Sequence, residues 1–137
     1  MKKKYLLLAI LVSCMHIVFA QNDYRVVFDL TSKDSLDHKA VLRWVTEVAK
    51  ASPDAKLEVV MYGQGVNMVT KNRTVVEEAI KKLVGNKNIS FKVCEVALKN
   101  QGISKDQLLP GIETVPDGIY EIIKKQREGW GYIKAVH

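Results

Sequence analysis

Cys94 has the side chain best suited to covalent chemistry in this sequence, because a thiolate is a strong nucleophile. It lies in the run NISFKVCEVAL, which predicts a strand over residues 88–93 that turns directly into a helix. In an open α/β sheet, ligands collect at the carboxyl ends of strands, and the start of a helix favours thiolate over thiol. We therefore predict that Cys94 is the catalytic residue, solvent-accessible and activated, although the neighbouring Glu95 would oppose this by raising the pKa of the thiol. The alternative is a small apolar core residue, a frequent role for free cysteine.

The histidines and carboxylates do not form a metal or hydrolase pattern. His16 lies near the N-terminus, His38 falls on a predicted helix as a solvated or cap-adjacent residue, and His137 is the last residue. With histidines so far apart, no metal-ligand spacing exists, and no nucleophile-elbow motif is present. Asp29 is expected to pair with a nearby lysine or to cap a loop. We expect no metal and no cofactor.

The first twenty residues have the composition of a signal peptide. Three lysines precede an apolar stretch over residues 5–12, and Val-Phe-Ala precedes a predicted cleavage site before Gln21. Polar residues interrupt the apolar run, which is therefore shorter than the roughly 18 residues that a membrane anchor needs. The prediction is an exported, periplasmic protein with its domain in residues 21–137. A lipobox-like LVSC offers an alternative, a lipoprotein anchored through Cys14.

The charge of the chain gives little support for nucleic-acid binding. The formal net charge is +6, but setting aside the three leader lysines leaves 18 basic against 15 acidic residues. The remaining basic residues are scattered, without the aromatic interleaving of a nucleic-acid platform. We expect neither nucleic-acid binding nor a stable membrane span once the leader is removed. Leader removal also leaves Cys94 without an intramolecular partner, which favours a free reactive thiol or an intermolecular bridge in an oxidising compartment.

Strand-like and helix-like segments alternate along the rest of the chain. Strands are predicted at residues 24–30, 56–62, 88–93, 112–115 and 129–134, and the main helices at 36–49, 74–84, 94–100 and 119–127. This alternation predicts a single α/β domain, a three-layer α/β/α fold with a mostly parallel sheet of about five strands.

The loops after the first three strands should open on one rim of that sheet. The candidate ligand-binding residues there are Ser32, Lys33, Gly63, Gly65 and Asn67. The Gly-Gln-Gly turn lacks the further residues of a dinucleotide fingerprint or a P-loop, so a plain tight turn is the simpler interpretation.

The order of the short motifs resembles the DsrE/DsrF-like family, in its small exported branch. These motifs are GQGVN at 63–67, VC at 93–94, LLPG at 108–111, VPDG at 115–118 and GYIK at 131–134. The resemblance covers residues 24–134 and implies an α/β/α fold and a homo-oligomer, either a trimer or a hexamer. Characterised relatives are linked to sulfur trafficking, with a persulfide on the cysteine that matches Cys94. Tyr62 departs from the pattern, because close relatives have histidine there.

Two functions follow from these observations. The first is a sulfur-carrier or thiol-exchange protein with Cys94 as a persulfide-accepting thiolate and another protein as sulfur donor or acceptor. The second is a non-catalytic protein of the cell envelope that binds a small ligand or serves in assembly. In the first case the protein is at most a sulfur-transfer protein, without a hydrolase or metalloenzyme signature.

Overall fold

The computed structural model describes residues 24–136, which form an α/β/α sandwich around a five-stranded, all-parallel sheet in the order β4-β3-β2-β1-β5. The strands are β1 (Arg25–Leu30), β2 (Lys56–Met61), β3 (Ile89–Cys94), β4 (Glu113–Val115) and β5 (Gly131–Lys134). The helices are α1 (Ser35–Ala51), α2 (Glu77–Leu83), α3 (Glu95–Asn100) and α4 (Gly118–Arg127), with 3₁₀ helices at Gly63–Val69 and Lys105–Gln107. The predicted fold class is confirmed.

The two faces of the sheet bury unequal cores. Alternate residues of a strand point to opposite faces. On one face Phe28, Val59 and Phe91 pack with apolar residues of α1, α2 and α3 in a large cluster. On the other face the cluster is small, with Val27 and Val60 packed against α4. Within residues 24–136, α4 is the helix that covers this second face, and buried polar side chains of the central strands, Asp29 and Glu58, lie on it.

The first turn of α1 fixes the loop that follows β1. The Asp34 carboxylate caps the helix by accepting a hydrogen bond from the Leu36 amide at 2.8 Å. His38 is only 3% exposed, and its Nε2 lies 2.9 Å from the Ser32 carbonyl oxygen. Of the two expected positions, solvated or cap-adjacent, the first is wrong and the second is confirmed, because His38 lies in the first turn of α1 next to the cap and this hydrogen bond satisfies Nε2 inside the protein.

Local hydrogen bonds explain where two elements begin later than predicted. The Thr74 hydroxyl accepts a hydrogen bond from the Val76 amide, a turn that competes with helix and delays α2 to Glu77. At the end of α4, Gly129 adopts φ +85°, and the Trp130 amide donates to the Lys125 carbonyl. This Schellman arrangement ends the helix and delays β5 to Gly131.

Within residues 24–136, no helix is long and apolar enough to cross a membrane. The predictions of a signal peptide at residues 1–20, of cleavage before Gln21 and of lipidation at Cys14 lie outside the described residues, as does His137.

Candidate functional site

A cleft of about 400 Å³ opens where β2 and β3 end, and Cys94 forms part of its wall. Parallel strands bring their carboxyl ends to one rim, where the following loops and helix starts enclose a cavity. The cleft is lined by Tyr62, Gly63, Gln64, Cys94, Val96, Ala97, Asn100, Gln101, Asp117 and Ile119.

Cys94 is the last residue of β3 and the N-cap of α3, as the sequence predicts to within one residue, but it is only 5% exposed. The expectation of a solvent-accessible thiol is therefore wrong for the chain taken alone. The physical reason is the close approach of α4. A Cβ atom added to Gly118 would lie 3.2 Å from the Cβ of Cys94 and 3.3 Å from the Cβ of Tyr62. With glycine at this position, the helix backbone can cover the cysteine directly.

Tyr62 forms the wall of the cleft next to Cys94, and its hydroxyl is anchored on the far side. The hydroxyl donates to Asp29 Oδ2 at 3.3 Å. Asp29 belongs to β1 and Cys94 to β3, on opposite sides of β2, so the hydrogen bond directs the phenol away from the thiol. Burial raises the pKa of Tyr62, and the charges of Asp29 and Cys94 raise it further. Tyr62 therefore serves as a neutral, fixed wall and not as a base.

Asp29 is the centre of a polar cluster that joins the edge strand to the sheet. It is 5% exposed and accepts hydrogen bonds from the Tyr132 hydroxyl at 2.7 Å and from Lys134 Nζ at 3.0 Å. The Lys134 ammonium also donates to the Thr31 hydroxyl at 2.9 Å. The prediction that Asp29 pairs with a lysine is confirmed, and the pairing explains how a buried carboxylate is compensated.

Glu95 follows Cys94 in sequence but is not among the residues lining the cleft. Its carboxylate accepts hydrogen bonds from Lys105 Nζ and from the Thr114 hydroxyl. These two bonds, with that from Lys105 the larger contribution, lower the pKa of Glu95. The carboxylate is thus ionised and committed to two partners away from the cleft.

Of the five predicted ligand-binding residues, only Gly63 lines the cleft. It adopts φ +52°, and its carbonyl oxygen accepts a hydrogen bond from the side-chain amide of Gln101, another residue of the lining. Gly65 is packed against β1, since an added Cβ would lie 2.2 Å from the Leu30 carbonyl oxygen. This position requires glycine for a close approach of backbones.

The other three predicted residues lie in the rim loops outside the lining. The Ser32 hydroxyl accepts a hydrogen bond from the Asp34 amide, and Lys33 is exposed in the same loop. Asn67 donates to Gln64 Oε1 and accepts from Arg73, each at 3.2 Å. The structure thus does not bring Ser32, Lys33 or Asn67 to Cys94, and their role in binding stays a prediction.

Several lining residues were not singled out from the sequence, although the position of two of them after a predicted strand could have identified them. Asp117, in the VPDG motif, and Ile119, just after it, follow β4, so the rule that parallel strands end on one rim also applies to them. Asn100 and Gln101 lie at the end of α3 and reach the cleft only because α3 is short. Within residues 24–136, no group of three or more His, Cys, Asp or Glu side chains is placed to hold a metal ion.

Comparison with known proteins agrees with the fold and the family resemblance. The model of the DsrE/DsrF-like family matches residues 25–135. A protein of unknown function, MTH1491 from Methanobacterium thermoautotrophicum, is 30% identical with a TM-score of 0.77, over 82% of this chain and 99% of that one. The E. coli ychN protein shares the fold, with 14% identity and a TM-score of 0.68 over 82% of this chain and 98% of that one. BT1422 from Bacteroides thetaiotaomicron also shares the fold, with 16% identity and a TM-score of 0.67 over 85% of this chain and 98% of that one. No curated protein matches significantly. On the family match over nearly all of the described residues, the chain belongs to the DsrE/DsrF-like family.

Proposed function

We propose that this protein is a sulfur carrier in which Cys94 accepts a sulfane sulfur atom and passes it on. The observation that carries the proposal is the position of Cys94 in the wall of a cleft at the carboxyl end of β3. Membership of a family associated with sulfur relay supports it. Within residues 24–136, Cys94 is the only cysteine.

The reaction needs no external oxidant or reductant. The Cys94 thiolate attacks the terminal sulfur of a donor persulfide, R–S–SH, and a new S–S bond forms as the donor S–S bond breaks. The donor leaves as a thiolate, RS⁻, which takes up a proton from water, and Cys94 is left as Cys–S–SH. The reverse exchange with an acceptor thiolate transfers the sulfur onward and restores Cys94.

The enclosure of Cys94 suits a carrier of a reactive group. We expect a donor to approach through the cleft, because the backbone at Gly118 packs against the cysteine side chain and leaves it 5% exposed. A persulfide formed there would lie beside apolar side chains of the lining such as Val96 and Ile119. We expect this enclosure to slow loss of the sulfur by side reactions.

Alkylation of the folded protein tests whether the cleft admits a reagent. In a Cys14→Ser chain, which leaves Cys94 as the only thiol, iodoacetamide should label Cys94 without denaturant, and Cys14→Ser/Cys94→Ser provides the blank. Labelling that requires denaturant would mean that Cys94 is a core residue and would refute the carrier function.

A second function, binding of a small ligand without chemistry, is favoured by one observation, the 5% exposure of Cys94. In that case the cysteine is a wall of the cleft, and Cys94→Ser would leave binding and stability nearly unchanged. For the carrier, the same substitution abolishes sulfur loading. Measuring loading and thermal stability on the same Cys94→Ser sample separates the two functions.

We also propose that the chain assembles as a homo-oligomer, a trimer or hexamer, through the outer side of α4. Three large apolar residues of this helix, Ile119, Tyr120 and Ile123, are exposed. Large exposed apolar residues grouped on one helix are typical of subunit contacts, and one of them, Ile119, also lines the cleft. Light scattering of the wild type should give a mass of three or six chains, and Ile123→Lys should lower it. A monomeric wild type would contradict the proposal.

Export to the periplasm is proposed on the composition of residues 1–20 alone. The N-terminus of the protein isolated from its own cells tests this. A mature start at Gln21 supports cleavage, a lipid-modified Cys14 supports the alternative, and an intact Met1 refutes both.

A further inference from the structure

Among residues 24–136, no basic side chain lines the cleft beside Cys94. Its polar lining consists of the carboxamides of Gln64, Asn100 and Gln101 and the carboxylate of Asp117, and the remainder is apolar or aromatic. Sites that bind carboxylates, sulfonates or phosphates are usually built with arginine or lysine. The charged side chain that the described part of the chain contributes to this lining, Asp117, is instead an acid.

The amides that open α4 do not reverse this negative charge. Asp117 Oδ1 accepts hydrogen bonds from the Ile119 amide at 2.8 Å and from the Tyr120 amide at 3.1 Å. The donors that could have served an anionic ligand are therefore already occupied by a carboxylate of the chain itself. Lys105 forms an ion pair with Glu95 at the start of α3 and is not among the residues that line the cleft.

We propose that the cleft selects uncharged or cationic low-molecular-weight sulfur donors and rejects anionic ones, and that Asp117 sets this preference. The inference rests on the carrier function proposed above and specifies its substrate class as organic persulfides without a carboxylate or sulfonate. The volume of about 400 Å³ suits a small organic molecule. The carboxamides of the lining offer neutral donors and acceptors to such a ligand.

Exchange with three disulfides of similar size tests the preference. The probes are bis(2-hydroxyethyl) disulfide, which is neutral, cystamine, which is cationic, and 3,3′-dithiodipropionate, which is anionic. In each case the Cys94 thiolate attacks one probe sulfur, the probe S–S bond breaks, and one probe thiolate leaves as the mixed disulfide forms. Rates are measured by mass spectrometry on the full Cys14→Ser chain. Each rate is divided by the rate for the same probe with the chain unfolded in urea, which corrects for differences in intrinsic reactivity among the probes.

For the folded chain we expect the normalised rates to fall in the order cationic, neutral, anionic. A single carboxylate in the wall of the same cleft should change the neutral-to-anionic ratio by roughly three- to tenfold at low salt. Asp117→Asn keeps a good N-cap residue and should reduce the ratio by that factor. Asp54→Asn, an exposed carboxylate in the loop that precedes β2 at the opposite end of the sheet, is the matched control and should leave the ratio unchanged. Added salt should also lower the neutral-to-anionic ratio of the wild type, because it screens the charge of Asp117.

The outcomes separate this inference from the proposed function. Equal normalised rates for the neutral and anionic probes, or a ratio that Asp117→Asn and salt do not change, would overturn the charge selection and leave a reactive Cys94. If no probe reacts with Cys94 until the chain unfolds, the carrier function is refuted and the inference with it.

Discussion

Glu58 should make the stability of this protein depend on pH in an unusual direction. It lies on β2 beneath α4 and is 2% exposed. Its Oε2 accepts a hydrogen bond from the Ser90 hydroxyl at 3.2 Å and lies 3.2 Å from Lys125 Nζ, whereas Oε1 has no hydrogen-bond partner among the described residues. Burial raises the pKa of Glu58 above 4.5, although Lys125 and Lys92 act to lower it and Glu121 acts to raise it.

The sign of the pH dependence follows from whether the folded or the unfolded chain binds the Glu58 proton more tightly. With its pKa raised, folded Glu58 keeps its proton at pH values where the unfolded chain has released it. The contribution of Glu58 to the free energy of unfolding is therefore highest below pH 4.5 and falls as pH rises through the folded pKa of Glu58. The loss is about 1.4 kcal/mol for each unit by which the folded pKa exceeds the unfolded value. Glu58→Gln cannot ionise and should lack this loss.

Urea denaturation followed by circular dichroism from pH 4 to pH 8 measures the difference between the wild type and Glu58→Gln. We expect the wild type to lose stability relative to the variant as pH rises from about 4.5, and the difference to become constant above the folded pKa. Glu128→Gln, which removes an exposed carboxylate near the end of α4, is the control for the loss of a charge in general. If the wild type instead gains stability relative to Glu58→Gln over this range, Lys125 outweighs burial and the reasoning is wrong.

Three further substitutions test the packing and the polar cluster. Gly65→Ala should destabilise by about 3 kcal/mol or more in urea denaturation, since its Cβ would lie 2.2 Å from the Leu30 carbonyl oxygen; a neutral result would mean that the turn shifts freely. Asp29→Asn should cost about 2 kcal/mol, because Lys134 loses its charge partner, and a cost near zero in the same assay would contradict the ion pair. The hydrogen bond to Asp29 is the largest cause that raises the pKa of Tyr132 to about 12, so Asp29→Asn should shift the ultraviolet titration of Tyr132 toward 10. The same substitution should also lower the pKa of Tyr62, and Tyr132→Phe, which removes the titration of Tyr132, tells the two tyrosines apart.

The fold could be predicted from the sequence because its signals are local. The β-branched run that ends at Leu30, the helical spacing that follows and the recurrence of this pattern define a parallel α/β sheet. The position of Cys94 between a strand and a helix was also predictable, since it depends on its immediate neighbours. The beginnings of α2 and β5 were predicted less well, because a Thr74 side chain and a Gly129 turn decide them.

The surroundings of Cys94 could not be predicted, because they depend on residues distant in sequence. The cysteine is covered by Gly118, which follows a different strand, and a glycine in the sequence does not reveal which backbone it allows to approach. The burial of Glu58 could not be predicted either, since a charged residue in a strand normally indicates a solvated face. Here α4 covers that face and brings Lys125 to compensate the charge.

The most direct test of the carrier function is the mass of the folded Cys14→Ser chain after exposure to a neutral organic persulfide and removal of the excess. The account predicts that the chain gains the mass of one sulfur atom on Cys94, loses it to an added small thiol, and gains nothing in the Cys14→Ser/Cys94→Ser chain. An unchanged mass for the folded chain, with loading of Cys94 only after unfolding in urea, would contradict the account.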